Sequence, residues 1–339
     1  MTRWTLLAPA ALCAAVVGCR HVAGDLHRLP QAAPRAGSPP PGNNWPMPPS
    51  EAERLFADAP LELVSMKATP QGVAGAHKAE IRFPGTGRQV AAKWKTAPAG
   101  TFDSWNNNPR KELATYAVQR WFLDPKDYVV PTVALRCIPI DDFRRVEPKA
   151  TPSLDGTTCV LGEFSLWLEH VEVPDNLYDP ARFEDDYNYA YHLSNFNVLA
   201  YLVEHRDGRP GNILVADDPR NRRVFAVDNG ISFGGLIYNF LTTNWDVMRV
   251  PAIPRAMVER LRALDRAKLA ALGTLVEVAT DRGGVLHPVP GGKPIDPDRG
   301  VRVQPGRVQM GLTTAEIDAV AERVATLLRR VDDGTLRVF

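Results

Sequence analysis

The chain has 339 residues, of which 45% are hydrophobic, 8% aromatic and 23% charged, and its 40 Lys and Arg against 39 Asp and Glu leave a formal net charge of +1. That balance excludes an extended disordered polyampholyte and gives no electrostatic footprint for nucleic acid, which is not expected as a partner. Setting aside a proline-rich first stretch of ~60 residues leaves about 280, enough for one two-lobed domain or two ordinary ones.

Arg3 followed by an apolar run from Leu6 to Val17 has the character of an export signal, too short to span a bilayer as a stable helix. The string Val16-Val17-Gly18-Cys19 resembles the bacterial lipobox. The resemblance implies that residues 1–18 are removed, that Cys19 is lipidated, and that the protein is held to a cell-envelope membrane by its N-terminal lipid. Arg20 rather than Asp after that cysteine implies the outer membrane over the inner, if the sorting habit of Gram-negative lipoproteins applies. A plain signal peptide with an incidental cysteine is the alternative. Residues 19–60 are rich in Pro, Ala, Gly and Ser and read as a semi-extended spacer reaching on the order of 100 Å.

With Cys13 and Cys19 set aside, Cys137 and Cys159 remain, and outside the cytoplasm two such cysteines predict one disulfide. Two buried free thiols are the alternative. The scattered histidines and the lack of C-x-x-C give a zinc site little support.

Alternation predicts strands over Leu61–Met66 and Lys78–Phe83, joined by a small-residue loop containing Gly72 and Gly75, and a third over Gln89–Lys95. Asn108-Pro109 then opens a helix expected to reach Leu123. Strands over Thr132–Cys137 and Cys159–Glu169 flank a polar excursion, and beyond Val171 the pattern turns helical, with Leu193, Phe196, Ala200 and Val203 on one stripe. A hairpin is expected over Ile213–Val227. Near the end, Thr313 and Glu316 form a capping box with a Leu312 to Ile317 staple, predicting a helix to about Val331 that buries Ile317, Val320, Val324 and Leu327. The rest of the final ninety residues is expected to add only helices.

The chemistry concentrates at His205-Arg206-Asp207-Gly208-Arg209-Pro210-Gly211-Asn212, which has the spacing H-R-D-x-x-x-x-N, followed after the hairpin by Asp228-Asn229-Gly230. Upstream, Val90-Ala91-Ala92-Lys93 has the form V-A-x-K on a strand, and Glu112 sits in the next helix. This order, over roughly residues 61 to 250, resembles the protein-kinase-like superfamily. The resemblance implies an α+β, two-lobed fold: a small antiparallel β lobe with one helix over 61–171, and a larger, mainly helical lobe over 172–335. It implies ATP and Mg²⁺ between the lobes and phosphoryl transfer to a hydroxyl, whose acceptor, a protein among the candidates, the sequence does not name.

The residue types suit that chemistry, because a transferred phosphoryl group spreads negative charge over its oxygens and needs an oriented acceptor. Asp207 can take the hydroxyl proton, Asn212 offers a neutral oxygen to Mg²⁺, and Asp228 offers an anionic one. Lys93 would hold the nucleotide phosphates with Glu112 keeping it extended, although Lys95 shares its face of the strand and could take that place. Gly72 and Gly75 could form the loop over the phosphates or an ordinary hairpin turn, since G-x-x-G falls short of the fuller glycine motif.

The departures are equally legible. Asn229 stands where typical protein kinases have the Phe of D-F-G, no A-P-E follows, and Arg209 replaces the Lys two residues after the catalytic Asp. The pattern is closer to the atypical branch: bacterial phosphatidylinositol 3/4-kinase-like proteins, HipA-type kinases and the Golgi casein-kinase type secretory kinases. Two other classes stay open. ATP is scarce outside the cytoplasm, which favours a catalytically inactive kinase-like binding module. Gly230-Ile231-Ser232-Phe233-Gly234 matches G-x-S-x-G, which would make Ser232 the nucleophile of a serine hydrolase with His287 and Asp281, at the expense of leaving the other motifs idle.

Overall fold

A computed structural model describes residues 44–69, 75–97, 109–234 and 244–339. The export signal, Cys19, Gly72 and Asn108 lie outside the described residues. Chain order begins with α1 (Pro49–Asp58), where a spacer was expected to continue to residue 60. Prolines misled the reading of composition here: Pro49 opens the helix, Glu51 favours its first turn, and Ala52, Leu55 and Phe56 are buried. Phe56 packs against Phe83 and Phe164 at centroid distances of 6.0 and 5.8 Å. Folded structure therefore starts by residue 44, and the spacer reading does not hold over 44–60.

The first lobe comprises β1 (Glu62–Ala68), β2 (Ala76–Phe83), β3 (Arg88–Thr96), α2 (Pro109–Gln119), β4 (Val133–Pro139), α3 (Ile140–Phe143) and β5 (Cys159–Leu166). Its strands form one antiparallel sheet in the order β1-β2-β3-β5-β4. Strand alternation separates two faces. Ala79, Ile81, Ala92, Trp94 and Phe164 form the apolar face, where Phe56 of α1 meets Phe164 and Phe143 of α3 meets Trp94. Lys78, Glu80, Ala91, Lys93, Lys95, Glu163 and Ser165 fall on the other face by register. Gly162 is required between them, because a Cβ there would lie 2.4 Å from the Trp94 ring. The helix α2 stops at Gln119 rather than Leu123, and the Gln119 amide caps the following loop by bonding the backbone of Val129 and Val130.

The second lobe follows through β6 (Val171–Glu172), α4 (Pro180–Asp185), α5 (Tyr187–Leu202), β7 (Ile213–Ala216), β8 (Val224–Ala226), β9 (Ala252–Ile253), α6 (Arg255–Arg262) and α7 (Arg266–Ala270). The expected stripe of Leu193, Phe196, Ala200 and Val203 is buried, as is most of α5. Strands β6, β7 and β8 form a small antiparallel sheet carrying the expected hairpin.

The final ninety residues hold more than helices. A second antiparallel sheet, β10 (Val276–Thr280), β11 (Leu286–Pro288), β12 (Val301–Gln304) and β13 (Arg307–Met310), runs in the order β11-β10-β13-β12. Its Val278, Leu286, Val301, Val308 and Met310 share an apolar cluster with Leu135, Cys137, Cys159 and Leu161 of the first lobe. The short alternating runs Val276–Thr280 and Val301–Met310 carried this signal, and the abundance of Arg and Gln between the valines concealed it. The chain then returns to the second lobe as α8 (Thr314–Asp332), which packs against α5 and α6, and ends with β14 (Arg337–Val338) paired in parallel with β9. The capping box forms as expected, with Val320, Val324 and Leu327 buried and Ile317 only partly so. Among the described residues no helix is long and apolar enough to cross a membrane.

Cys137 and Cys159 are disulfide-bonded, with a Cα separation of 5.5 Å across the end of the β4–β5 ladder. Closing that loop is worth about 3 kcal/mol on the chain-entropy account. Replacing both cysteines with Ala is expected to lower the unfolding free energy by about that amount and to abolish any effect of reductant on the melting temperature. A reductant-insensitive native protein would show that the bridge contributes nothing.

Candidate active site

Three separate elements bring charge to one buried point. On β3, Lys93 and Lys95 project from the same face; from α2 comes Glu112; and Asp228 follows β8. Glu112 Oε1 lies 3.4 Å from both ammonium groups. Lys93 is also 3.9 Å from Asp228 Oδ1, and Lys95 donates to that same oxygen. Burial opposes each charge, but the two lysines hold the Glu112 and Asp228 carboxyls well below the usual carboxylate range. Burial likewise opposes the Lys95 charge, and Asp228 and Glu112 more than restore it. Asn229 completes the pocket, its amide donating to Glu112 Oε2 at 3.4 Å.

Asp228 reaches this position through a left-handed backbone, φ 63°, which Asp tolerates better than most residues. Across from it, Asn212 donates from Nδ2 to Asp207 Oδ2 at 2.8 Å and to the Asp207 carbonyl at 3.1 Å. The Asn212 carbonyl accepts from Val227, tying the loop to the residue before Asp228. Arg209 spans the remaining gap, 3.3 Å from Asp207 and 3.7 Å from Asp228. Asp207, Asn212, Asp228, Lys93 and Glu112 are thus brought together. Gly75, at φ 70°, stands at the mouth of the loop before β2, while its companion Gly72 is outside the described residues.

Next to Lys93 along the sheet is a cavity of about 730 Å³, lined by Lys78, Glu80, Gln89, Ala91 and the connecting segment Trp167–His170. Ala91 precedes Lys93 by two residues and so faces the same way. Its carbonyl accepts from the Trp167 amide, while Asn44 holds the Glu169 and His170 carbonyls. The connection between lobes is therefore buttressed from the N-terminal side.

Sequence reasoning missed Glu163, which lies opposite Lys95 on β5, fully buried and with neither carboxyl oxygen hydrogen-bonded among the described residues. Its signal was a lone acid within the apolar run Cys159–Leu166. Ser232 does not meet the requirements of a hydrolase nucleophile: its hydroxyl is buried and, among the described residues, has no hydrogen-bond partner. The expected partners His287 and Asp281 do pair, at 3.3 Å, with Asp58 of α1 also 3.6 Å from His287, but Ser232 makes no bond to them.

No family model and no curated protein matches the chain. Among solved structures it is similar to a Golgi casein kinase at a TM-score of 0.47 and 11% identity, over 84% of this chain and 74% of that one. A Golgi casein kinase with Mn and ADP bound gives 0.46 and 12%, over 84% and 76%.

Burial and the neighbouring Glu112 carboxylate push the Glu163 carboxyl up to about 8 despite the pull of Lys95. The folded protein then keeps a proton that the unfolded chain releases near the ordinary value of 4.5. Stability from this group is complete below that value and is lost as pH rises through about 8. Glu163→Gln should remove this loss, making the variant the more stable protein above about pH 8 and flattening the pH dependence of its melting temperature. Parallel melting curves for the two proteins from pH 5 to 9, as a rough range, would show that Glu163 is already ionised.

Proposed function

We propose that this chain is an atypical kinase that binds ATP with a divalent cation, Mg²⁺ by preference, and transfers a phosphoryl group to a hydroxyl acceptor. The observation that carries the reading is the convergence of Lys93, Glu112 and Asp228 beside the Asp207–Asn212 loop, with a cavity for a nucleotide base next to Lys93. The donor chemistry fits the cation. Among the described residues no cluster of three or more His, Cys, Asp or Glu could enclose a metal unaided. Asn212 and Asp228 offer hard oxygens only, and phosphate oxygens and water would supply the remaining ligands, as is usual for Mg²⁺.

When bound, the cation supplies positive charge to the phosphate oxygens. The chain's own residues do the rest. Lys93, kept extended by Glu112, reaches the phosphates, and Asp207, fixed by the Asn212 amide, accepts the proton of the incoming hydroxyl. Arg209 adds a positive charge between the two carboxylates, where the transferred group would carry its negative charge. Upstream of this domain, we propose that residues 1–18 direct export and that lipid on Cys19 anchors the protein in the cell envelope, at the outer membrane. The disulfide supports an oxidising compartment.

Asp228→Ala is expected to abolish cation-dependent nucleotide binding and to lower stability through the buried lysines it leaves behind, with the folded state retained by circular dichroism. Asp207→Ala should spare binding and lower transfer by about 10²–10⁴-fold. Unchanged affinity in the Asp228 variant would overturn the assignment, and labelling by a fluorophosphonate that Ser232→Ala removes would favour a hydrolase. For the anchor, Cys19→Ala should abolish metabolic labelling with a fatty acid and release the protein from the membrane fraction, whereas continued labelling would exclude Cys19 as the lipid site.

A further inference from the structure

Two lysines share one pair of carboxylates, although a phosphate ligand and its carboxylate guide require only one. Both ammoniums lie 3.4 Å from the same Glu112 oxygen, and both face the same Asp228 oxygen. Their surroundings differ. Lys93 is 15% exposed and lies opposite Lys78 in the strand ladder, a residue that lines the cavity. Lys95 is 1% exposed and closed in by Glu112, Asp228 and the cross-strand Glu163. A phosphate can share the more exposed Lys93 with Glu112, whereas Lys95 is enclosed. If Lys95 were absent and Lys93 divided its charge with a phosphate, Glu112 would keep only that share and the Asn229 amide, and Asp228 would keep Arg209 at 3.7 Å, a costly arrangement for buried acids.

We propose that Lys95 is a positioning residue, an internal cation that keeps Glu112 and Asp228 in place so that Lys93 is free to serve the nucleotide. This rests on the nucleotide reading above and assigns the two lysines different work. Lys93 contributes affinity for the phosphates themselves. Lys95 contributes the orientation of Asp228, and therefore the gain in affinity that a divalent cation brings.

The test measures binding of a fluorescent ATP analogue to the full chain, once in EDTA and once with Mn²⁺. Lys93→Met is expected to weaken binding in EDTA by about 10-fold or more, the loss of one charge-assisted contact, with the Mn²⁺ enhancement ratio preserved. Lys95→Met should leave binding in EDTA within about 3-fold and reduce the Mn²⁺ enhancement by about 10-fold, with Lys95→Arg restoring most of it. A merely structural Lys95 would lower both conditions together. Should Lys95→Met fail to fold, the polar Lys95→Gln, which also removes the charge, is read in its place with the same two outcomes. Unaltered EDTA affinity in Lys93→Met, or an intact enhancement ratio in Lys95→Met, overturns the division of labour. Failure of the unsubstituted chain to bind the nucleotide with Mn²⁺ would overturn it together with the nucleotide reading.

Discussion

The structure depends on a buried balance of charge. Lys93 and Lys95 on a strand, Glu112 on a helix and Asp228 on a loop belong to three elements far apart in sequence, and each charge is tolerated only because the others are there. The arrangement therefore acts as a geometric specification. It fixes the angle of α2 against the sheet and the approach of the second lobe to the first, and it selects the left-handed backbone at Asp228. Apolar packing could join the same elements with more tolerance of slippage, as it does on the opposite face, where Phe56, Phe83, Trp94 and Phe164 meet.

What the sequence made legible follows from the same physics. Lys93, Glu112, Asp207, Asn212 and Asp228 are polar residues at defined spacings next to strands and helix starts, and such spacing survives without knowledge of packing. The ladder of β2 and β3 and the capping box at Thr313 were readable because alternation and capping are local. Lys95 could be placed on the same face as Lys93, yet its burial could not be foreseen, because that depends on Glu163 arriving from a strand nearly seventy residues later. The second sheet was hidden for a related reason. Arg302 and Gln309 look like surface residues in sequence, but they are buried and bond one another at 3.1 Å. Helix α1 was hidden by prolines that begin a helix instead of preventing one.

The lobes are joined by more than the segment Trp167–His170. Asn44 braces that segment from one side, and Trp45 packs edge-on against Phe225 of the second lobe. On the other side, the second sheet sits on the β4–β5 end of the first lobe, stapled nearby by the disulfide, while α8 rests on α5 and α6. A cleft held at both ends opens through smaller motions than one held by a single strand, and its charged residues meet with less entropy to lose.

One contact carries this arrangement into the order of synthesis. Arg110, in the first turn of α2, pairs at 2.6 Å with Glu316, the same carboxylate that closes the capping box of α8. Gly300 gives the guanidinium its room, since a Cβ there would lie 2.2 Å from Arg110 Nε. Every motif of the cleft has been translated by Gly230, yet the helix that presents Glu112 is secured by Glu316, made almost ninety positions later. While the chain is still being made the cleft is unfinished, and it is completed only when the C-terminal helix docks. Chains cut short before Glu316 would carry all the motifs of the cleft without this contact to hold them in register.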